Sequence, residues 1–290
     1  MGARLVATGR ASRTYLIGTM MATIIPSPRV RLQVDLLGRF DARTSSGQHL
    51  RLPGRHAQAL FALLLLTHRP RSRESIAADL WPDADGASIG SLRQALWMVR
   101  QAVTEAGIEA DDLLDIDTDT VGIQMGARID LDVTAFEACL NDDTCGAEIA
   151  VGMYHGDLLE GLGHECFAAE RERLSDHFED ALAVVAGRRL AAGDPHGARV
   201  AADRLLERDP LREEAHAALI AVYGLIGSRS QVVRQYRRLR DVLGRELGET
   251  PLPDTDVIYR QALDRTMRRA MERAALLDDE RAPVLSVVGH

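Results

Sequence analysis

The chain has 290 residues, 46% of them hydrophobic, and is therefore long enough for about two globular domains with real cores. Its formal net charge of -8 excludes a protein that coats nucleic acid through its overall field, so contact with an anionic partner must come from a local basic surface. All 35 basic residues are arginine, and a chain without lysine can hold neither a Walker A phosphate loop, a pyridoxal Schiff base nor a serine-lysine dyad.

Residues 1–28 are predicted to be a disordered leader. The apolar run Tyr15–Ile25 follows three arginines and has the outline of a signal peptide, but Pro26-Ser27-Pro28 comes where a small-residue cleavage site is needed. A true start at Met20 or Met21 is a further alternative. Because no run reaches the roughly 18 apolar residues of a membrane span, we expect a cytoplasmic protein without membrane contact.

The cysteines do not form a recognisable framework. Cys139, Cys145 and Cys166 are an odd number in a long chain, which is typical of a reducing cytoplasm. Together with His164 they lack the Cys-x-x-Cys spacing of zinc sites, so we predict no metal, cofactor or catalytic centre. Cys166 stands near a predicted helix start, where a lowered pKa is expected.

The first elements predicted are short strands and a buried helix. Apolar and polar residues alternate over Val30–Phe40 and again over Gln48–Leu52, with turn residues Ser45–Gly47 between them. These segments are predicted strands of a small antiparallel sheet. Ala57–Thr67 is almost wholly apolar and, introduced by Pro53-Gly54, is predicted to be a buried helix.

Two helices and a hairpin are predicted next. Ile76–Pro82 and Ser91–Arg100 indicate two helices joined by a short loop, the second being part of a helix over Ser88–Val103. Its apolar stripe consists of Leu92, Leu96, Val99 and Val103, which leaves a polar face opposite. Leu113–Met125 alternates around the turn residues Asp117–Thr120 and predicts a terminal hairpin. An ordinary helical bundle explains the helix pair alone, but strands, three helices and a hairpin together are the parts of a winged helix, predicted over 29–125.

Arginines without neighbouring acids indicate where this domain would contact DNA. Ala42–Arg73 contains six arginines and no acid. Phosphate contacts are expected from Arg55, Arg69, Arg71 and Arg73. The further predicted DNA-binding residues lie on the second helix (Ser91, Arg93, Gln94, Trp97, Arg100 and Gln101) and in the hairpin (Thr118 and Thr120).

Aromatic and acidic residues complicate this interpretation. Trp81 and Trp97 are interpreted as packing residues in preference to base-stacking ones, although Trp97 lies on the face assigned to DNA. Glu109–Asp119 contains six acids, which phosphates would repel. Either these acids face away from DNA, or binding is weak without a partner.

Beyond Asp130 the chain is predicted to be helical and acidic. Apolar stripes at helical spacing predict the helices Ala147–Tyr154, Glu165–Leu190, Pro195–Glu207, Arg212–Ile226 and Ser230–Leu243. Gly193 and Gly227 are 34 residues apart, and flanking aliphatic residues repeat at the same offset. This period predicts tetratricopeptide-like repeats over 130–265, followed by a tail over 266–290. Two unrelated helical hairpins of similar length are the alternative.

Five separated motifs, in order, resemble the streptomycete-type antibiotic regulatory proteins (the SARP-like family) and relatives with a bacterial transcriptional activator domain. They are Leu52–Leu60 (LPGRHAQAL), Ser72–Pro82 (SRESIAADLWP), Ser91–Leu96 (SLRQAL), Tyr154–Gly161 (YHGDLLEG) and Asp209–His216 (DPLREEAH). The resemblance implies a mainly α protein with a small β component, in which a winged helix of the response-regulator output type precedes a tetratricopeptide-like all-α activator domain.

The resemblance also implies function. A member of this family is expected to be a sequence-specific transcriptional activator that binds double-stranded promoter DNA and RNA polymerase. The helical repeats are expected to offer a groove or the surface of a homodimer, and no enzyme activity is expected. Ile89, Met98 and Gln101 depart from the pattern, because charge is expected at these positions of the recognition helix. The alternative function is a protein-interaction scaffold whose winged helix has lost its affinity for DNA.

Overall fold

The computed structural model describes residues 31–67, 69–84, 88–142 and 146–279. The predicted leader, the alternative starts Met20 and Met21, Cys145 and residues 280–290 of the predicted tail lie outside these ranges. Within them, no helix is long and apolar enough to cross a membrane.

Strands and helices both occur up to residue 131, and all the described elements after it are helices. In chain order they are β1 (Leu32–Asp35), β2 (Asp41–Thr44), α1 (Arg55–Leu66), β3 (Arg71–Ser72), α2 (Arg73–Leu80), α3 (Ser88–Glu105), α4 (Ala110–Leu113), β4 (Leu114–Ile116), β5 (Thr120–Ile123), β6 (Ile129–Leu131), α5 (Asp132–Leu140), α6 (Gly146–Met153), a 3-10 helix (Glu165–Phe167), α7 (Ala168–Ala191), α8 (Pro195–Arg208), α9 (Glu213–Ile226), α10 (Arg229–Glu246) and α11 (Pro253–Asp279).

The first sheet has the order β2-β1-β6, with β1 antiparallel to β2 and parallel to β6. The strand predicted at Gln48–Leu52 is wrong in position. The partner of β1 is β2, and the 48–52 segment contributes only an isolated bridge between Arg43 and His49. Its alternation reflects Leu50 and Leu52, which are buried in the core without forming a ladder.

The predicted helices and hairpin of the winged helix are confirmed. α1 is buried along most of its length, and α3 packs on both α1 and α2. Ser72 caps α2 by accepting a hydrogen bond from the Ser75 amide at 3.2 Å. The second sheet has the order β3-β5-β4, and β4 and β5 form the terminal hairpin, here called the wing, with its tip at residues 117–119.

In the helical domain α7 packs on α8, α8 packs on α9, and α9 packs on both α10 and α11. α8 and α10 start 34 residues apart, at Pro195 and Arg229, as the repeat predicts. Gly224 allows α9 and α11 to approach closely, because a Cβ there would lie 2.8 Å from the Cβ of Ala262. The predicted fold class, mainly α with a small β component, is confirmed. α5 and α11 were not predicted, and α11 runs without a break through the predicted boundary at 265.

The two halves share one hydrophobic core, which extends from Leu32 to Leu219. At their junction, the Asp132 carboxylate accepts the backbone N–H groups of Leu36 and Leu37 at 2.8 and 2.7 Å. The Leu159 amide donates to the Leu36 carbonyl at 2.8 Å. Part of the motif at 154–161 therefore joins the winged helix to the helical domain, and a cut at residue 125 would remove β6 from the first sheet.

Candidate nucleic-acid interface

α3 presents one buried face and one exposed face over its 18 residues. Each residue advances a helix by about 100°, so apolar residues three and four apart collect on one side. The buried set is Leu92, Ala95, Leu96, Val99, Ala102 and Val103. The exposed set contains five of the residues predicted to contact DNA, namely Arg93, Gln94, Trp97, Arg100 and Gln101.

The two ends of the exposed face differ in their partners. Among the described residues, the side chains of Arg93 and Gln94 make no hydrogen bond or ion pair. In contrast, Arg100 Nη2 lies 3.1 Å from Asp111 Oδ1, and Gln101 donates to Glu105 at 3.2 Å. The first half of this face is therefore available to a ligand, while the second half is already engaged.

Trp97 does not have the packing role predicted for it. Its side chain is 64% exposed, because it follows Leu96 by one helical step and so lies on the polar side of α3. Trp81 is half-buried against the core, with its ring 5.1 Å from that of His56, as a packing role requires. Ser91 is half-buried at the edge of the exposed face.

The four arginines predicted to contact phosphates do not form one surface. Arg71 is half-buried and already engaged, because Nη1 lies 2.7 Å from Asp79 Oδ2 and Nη2 donates to Ser75. Arg55 lies at the opposite end of α1 from Arg69, where it lines a cavity with Glu160 on the helical-domain side. Arg71 and Arg55, which have no acidic neighbours within the sequence 42–73, therefore have acidic neighbours in the fold.

Arg69 and Arg73 lie beside the wing. Arg69 is exposed, and no partner for its side chain exists within the described ranges. Arg73 Nη2 donates to the Asp117 carbonyl at 2.9 Å, and its amide donates to the Asp119 carbonyl at 3.0 Å. Because a carbonyl is neutral, the charge of Arg73 is not cancelled by this contact.

The wing itself carries polar and acidic side chains. Thr118 is exposed at the tip, and Thr120 is half-buried where β5 pairs with Ser72. Asp117 and Asp119 are exposed, and Asp117 Oδ1 accepts the Thr118 amide at 2.7 Å. Asp111 is therefore paired with Arg100, whereas Asp117 and Asp119 form no ion pair with any residue that the structure describes.

Residues 133–263 match the family of the bacterial transcriptional activator domain. The chain therefore contains a bacterial transcriptional activator domain. The structure is similar to that of Mycobacterium tuberculosis EmbR in complex with a low-affinity phosphopeptide, with a TM-score of 0.68 and 19% sequence identity, over 86% of this chain and 71% of that chain. No curated protein matches the sequence. The predicted resemblance is confirmed.

An aromatic cluster joins α1 and the end of α2 to the helical domain. His164 Nε2 lies 3.1 Å from His56 Nδ1, and His56 in turn packs on Trp81. Burial, and then the neighbouring His56 and Arg55, lower the pKa of His164. Sequence reasoning missed this cluster, although His56 and Trp81 lie in two of the motifs that carry the resemblance.

The lowered pKa expected for the Cys166 thiol is not found. Burial, and then the nearby Asp79 carboxylate, raise the pKa of Cys166 to about 11, so the expected lowering is wrong. Arg71 and Arg171 act to lower this pKa, but burial of the thiol outweighs them. No group of three or more metal-ligating side chains occurs in the part of the chain that the structure describes.

Proposed function

We propose that this chain is a SARP-like regulator that binds double-stranded promoter DNA through α3 and activates transcription by contacting RNA polymerase through its helical domain. The observation that carries the proposal is the first half of the exposed face of α3, where Arg93, Gln94 and Trp97 project from a helix whose other side is buried. A helix of this kind fits the major groove of B-DNA. Arginine there can bind guanine O6 and N7, and glutamine can bind adenine N6 and N7.

Backbone contacts are assigned to side chains beside the wing. Arg69 is exposed, and Arg73 retains its charge, so both can neutralise phosphates on either side of the groove. The hydroxyls of Ser91, Thr118 and Thr120 are proposed as secondary donors, with Arg100 and Gln101 joining once their contacts to acids are released. A homodimer on paired half-sites in the cytoplasm completes the proposal.

Selection of binding sites from a random DNA pool by the full-length chain tests this function. An enriched sequence should be bound by the unaltered protein, and Arg93→Ala should weaken that binding by about 1 to 3 kcal/mol if the guanidinium is bidentate to guanine. Arg268→Ala, on the exposed surface of α11, is the matched control and should leave the affinity unchanged. Failure to enrich any sequence would refute DNA recognition by α3.

A protein-interaction scaffold is the second candidate. Two observations favour it. The carboxylates of Asp117 and Asp119 at the wing tip have no ion-pair partner within the described ranges, and Asp111 pairs with Arg100. A scaffold of this kind would capture protein partners from the cell without enriching any DNA sequence. The selection experiment therefore separates the two candidates directly.

A further inference from the structure

The helical domain carries one basic surface within an acidic environment. Residues 126–265 contain 26 acids and 17 arginines, a net charge of -9. Six of those arginines lie between 229 and 245, on α10. Spacings of three, four and seven residues place Arg234, Arg237, Arg238 and Arg245 on neighbouring positions of one helical face.

The arginines of this face differ from others in the same domain. Ion pairs with acids hold Arg173, Arg188, Arg189, Arg199, Arg208 and Arg212. The four arginines of the α10 face are exposed, and none has a hydrogen-bond or ion-pair partner within the described ranges. Four unmatched guanidinium groups on one side of a helix repel one another, which an anionic partner would relieve.

These arginines line a cleft of about 520 Å³, here called the arginine cleft. Its walls are α10 and the loop before α9, and its lining consists of Pro210, Arg234, Arg237, Arg238, Asp241, Val242 and Arg245. This volume is within the range of sites that enclose small ligands or a few side chains. Apolar atoms of Pro210 and Val242 lie among the charges.

A buried histidine fastens the two walls of the arginine cleft together. His216 Nε2 lies 3.1 Å from the Pro210 carbonyl, and His216 Nδ1 lies 2.9 Å from Gln235 Nε2. Both contacts are satisfied when Nε2–H donates to Pro210 and Nδ1 accepts from Gln235. His216 is only 1% exposed, so the cleft has a rigid base and is formed before any ligand binds.

We propose that the arginine cleft binds a carboxylate-rich segment of a protein partner that also presents apolar side chains. The planar guanidinium group matches a carboxylate with two parallel hydrogen bonds, and several arginines in a row suit several acids in a row. Asp241 can accept a backbone N–H of the same segment. Pro210 and Val242 give its apolar side chains a place to pack.

The same observations argue against DNA as the occupant. Asp241 in the cleft, together with the net charge of -9 of the surrounding domain, would repel the phosphates of a duplex. α10 packs on α9 and α11, at the far end of the chain from α3. The arginine cleft would thus recognise the partner of the helical domain by its carboxylates. This inference rests on the proposed function only in expecting that such a partner exists.

Fluorescence anisotropy with a labelled peptide of glutamates interspersed with leucines tests the proposal on the full-length chain. The peptide should bind more tightly at low salt, and Arg237→Ala/Arg238→Ala should weaken binding by about tenfold. Arg240→Ala is the matched control, since Arg240 is an exposed arginine of the same helix that does not line the cleft. Arg93→Ala is the second control. It should retain peptide binding even if it loses binding to the selected DNA sequence.

Each outcome decides the proposal. Weakening confined to the Arg237→Ala/Arg238→Ala variant, with an unchanged thermal unfolding midpoint, supports it. Peptide binding that this variant leaves unchanged, or that Arg93→Ala abolishes, overturns it, because the anion would then sit elsewhere. Duplex DNA binding that depends on Arg237 and Arg238 would also overturn it and assign the cleft to nucleic acid.

Discussion

Arg100 and Asp111 form an ion pair, with Nη2 3.1 Å from Oδ1, between the exposed face of α3 and the short helix that precedes the wing. The pair lies at the surface, with side chains 45% and 85% exposed, so its own contribution to stability is small. Its consequence is for binding, because a phosphate or base must compete with the Asp111 carboxylate for this guanidinium.

Asp111→Asn should therefore tighten binding to the selected DNA. An exposed ion pair contributes about 0.2 to 1 kcal/mol. Because DNA would no longer have to break this pair to reach Arg100, its affinity should rise by up to about fivefold at low salt. Asp112→Asn removes the same charge from the neighbouring exposed position and isolates the effect of general charge. Fluorescence anisotropy measures the affinity of each variant for DNA. Equal gains in affinity for the two variants would show that the ion pair with Asp111 does not keep Arg100 from DNA.

Arg69 and Arg71 should behave differently although they are two residues apart. Arg69→Ala should lower the slope of log affinity against log salt by about one, as expected for one lost phosphate contact. Arg71→Ala should leave that slope unchanged and instead lower the free energy of unfolding by about 1 kcal/mol, because it removes the ion pair to Asp79. Urea unfolding and salt titrations measure the two quantities, and a flattened slope for Arg71→Ala would contradict the assignment.

Periodicity predicted the faces of α3 because helical geometry alone determines which residues share a side. It did not predict which of those residues are engaged, since Asp79 and Asp111 reach Arg71 and Arg100 only through the tertiary fold. Parallel pairing of β1 with β6 joins residues that are far apart in the sequence, such as Leu32 and Ile129. Local sequence patterns cannot predict such a pairing. The acidic composition of the helical domain likewise concealed the basic face of α10.

The junction between the domains should depend on Asp132. Asp132→Ala leaves the amides of Leu36 and Leu37 without their acceptor and should lower the free energy of unfolding by about 1 to 3 kcal/mol. Asp130→Ala is the matched control two residues away, where the carboxylate pairs with exposed Arg31 and its loss should cost under about 1 kcal/mol. Urea denaturation of both variants measures the difference, and equal costs would contradict the structural role of Asp132.

Acid should destabilise the helical domain through His216. Burial lowers the pKa of His216, the bond to Pro210 opposes this, and Arg238 reinforces the lowering. The unfolded chain binds a proton near pH 6.5, whereas the folded protein resists it, so the free energy of unfolding should fall as the pH drops below about 6.5. His216→Gln should reduce this dependence, as measured by urea unfolding across the pH range. A slope that is unchanged in the variant would assign the dependence to other groups, such as His164.

The acids at the wing tip should restrain DNA binding without supporting the fold. The main-chain carbonyls of Asp117 and Asp119 hold Arg73, and the side-chain bond from the Thr118 amide to Asp117 Oδ1 can be kept by an asparagine oxygen. Asp117→Asn/Asp119→Asn should therefore tighten binding to the selected DNA by a few-fold at low salt and less at high salt, because salt screens the repulsion. Asp264→Asn/Glu272→Gln removes the same charge from exposed positions of α11 and should change affinity little. Collapse of binding in the wing variant, with the thermal unfolding midpoint also lowered, would instead make these carboxylates structural residues of the turn.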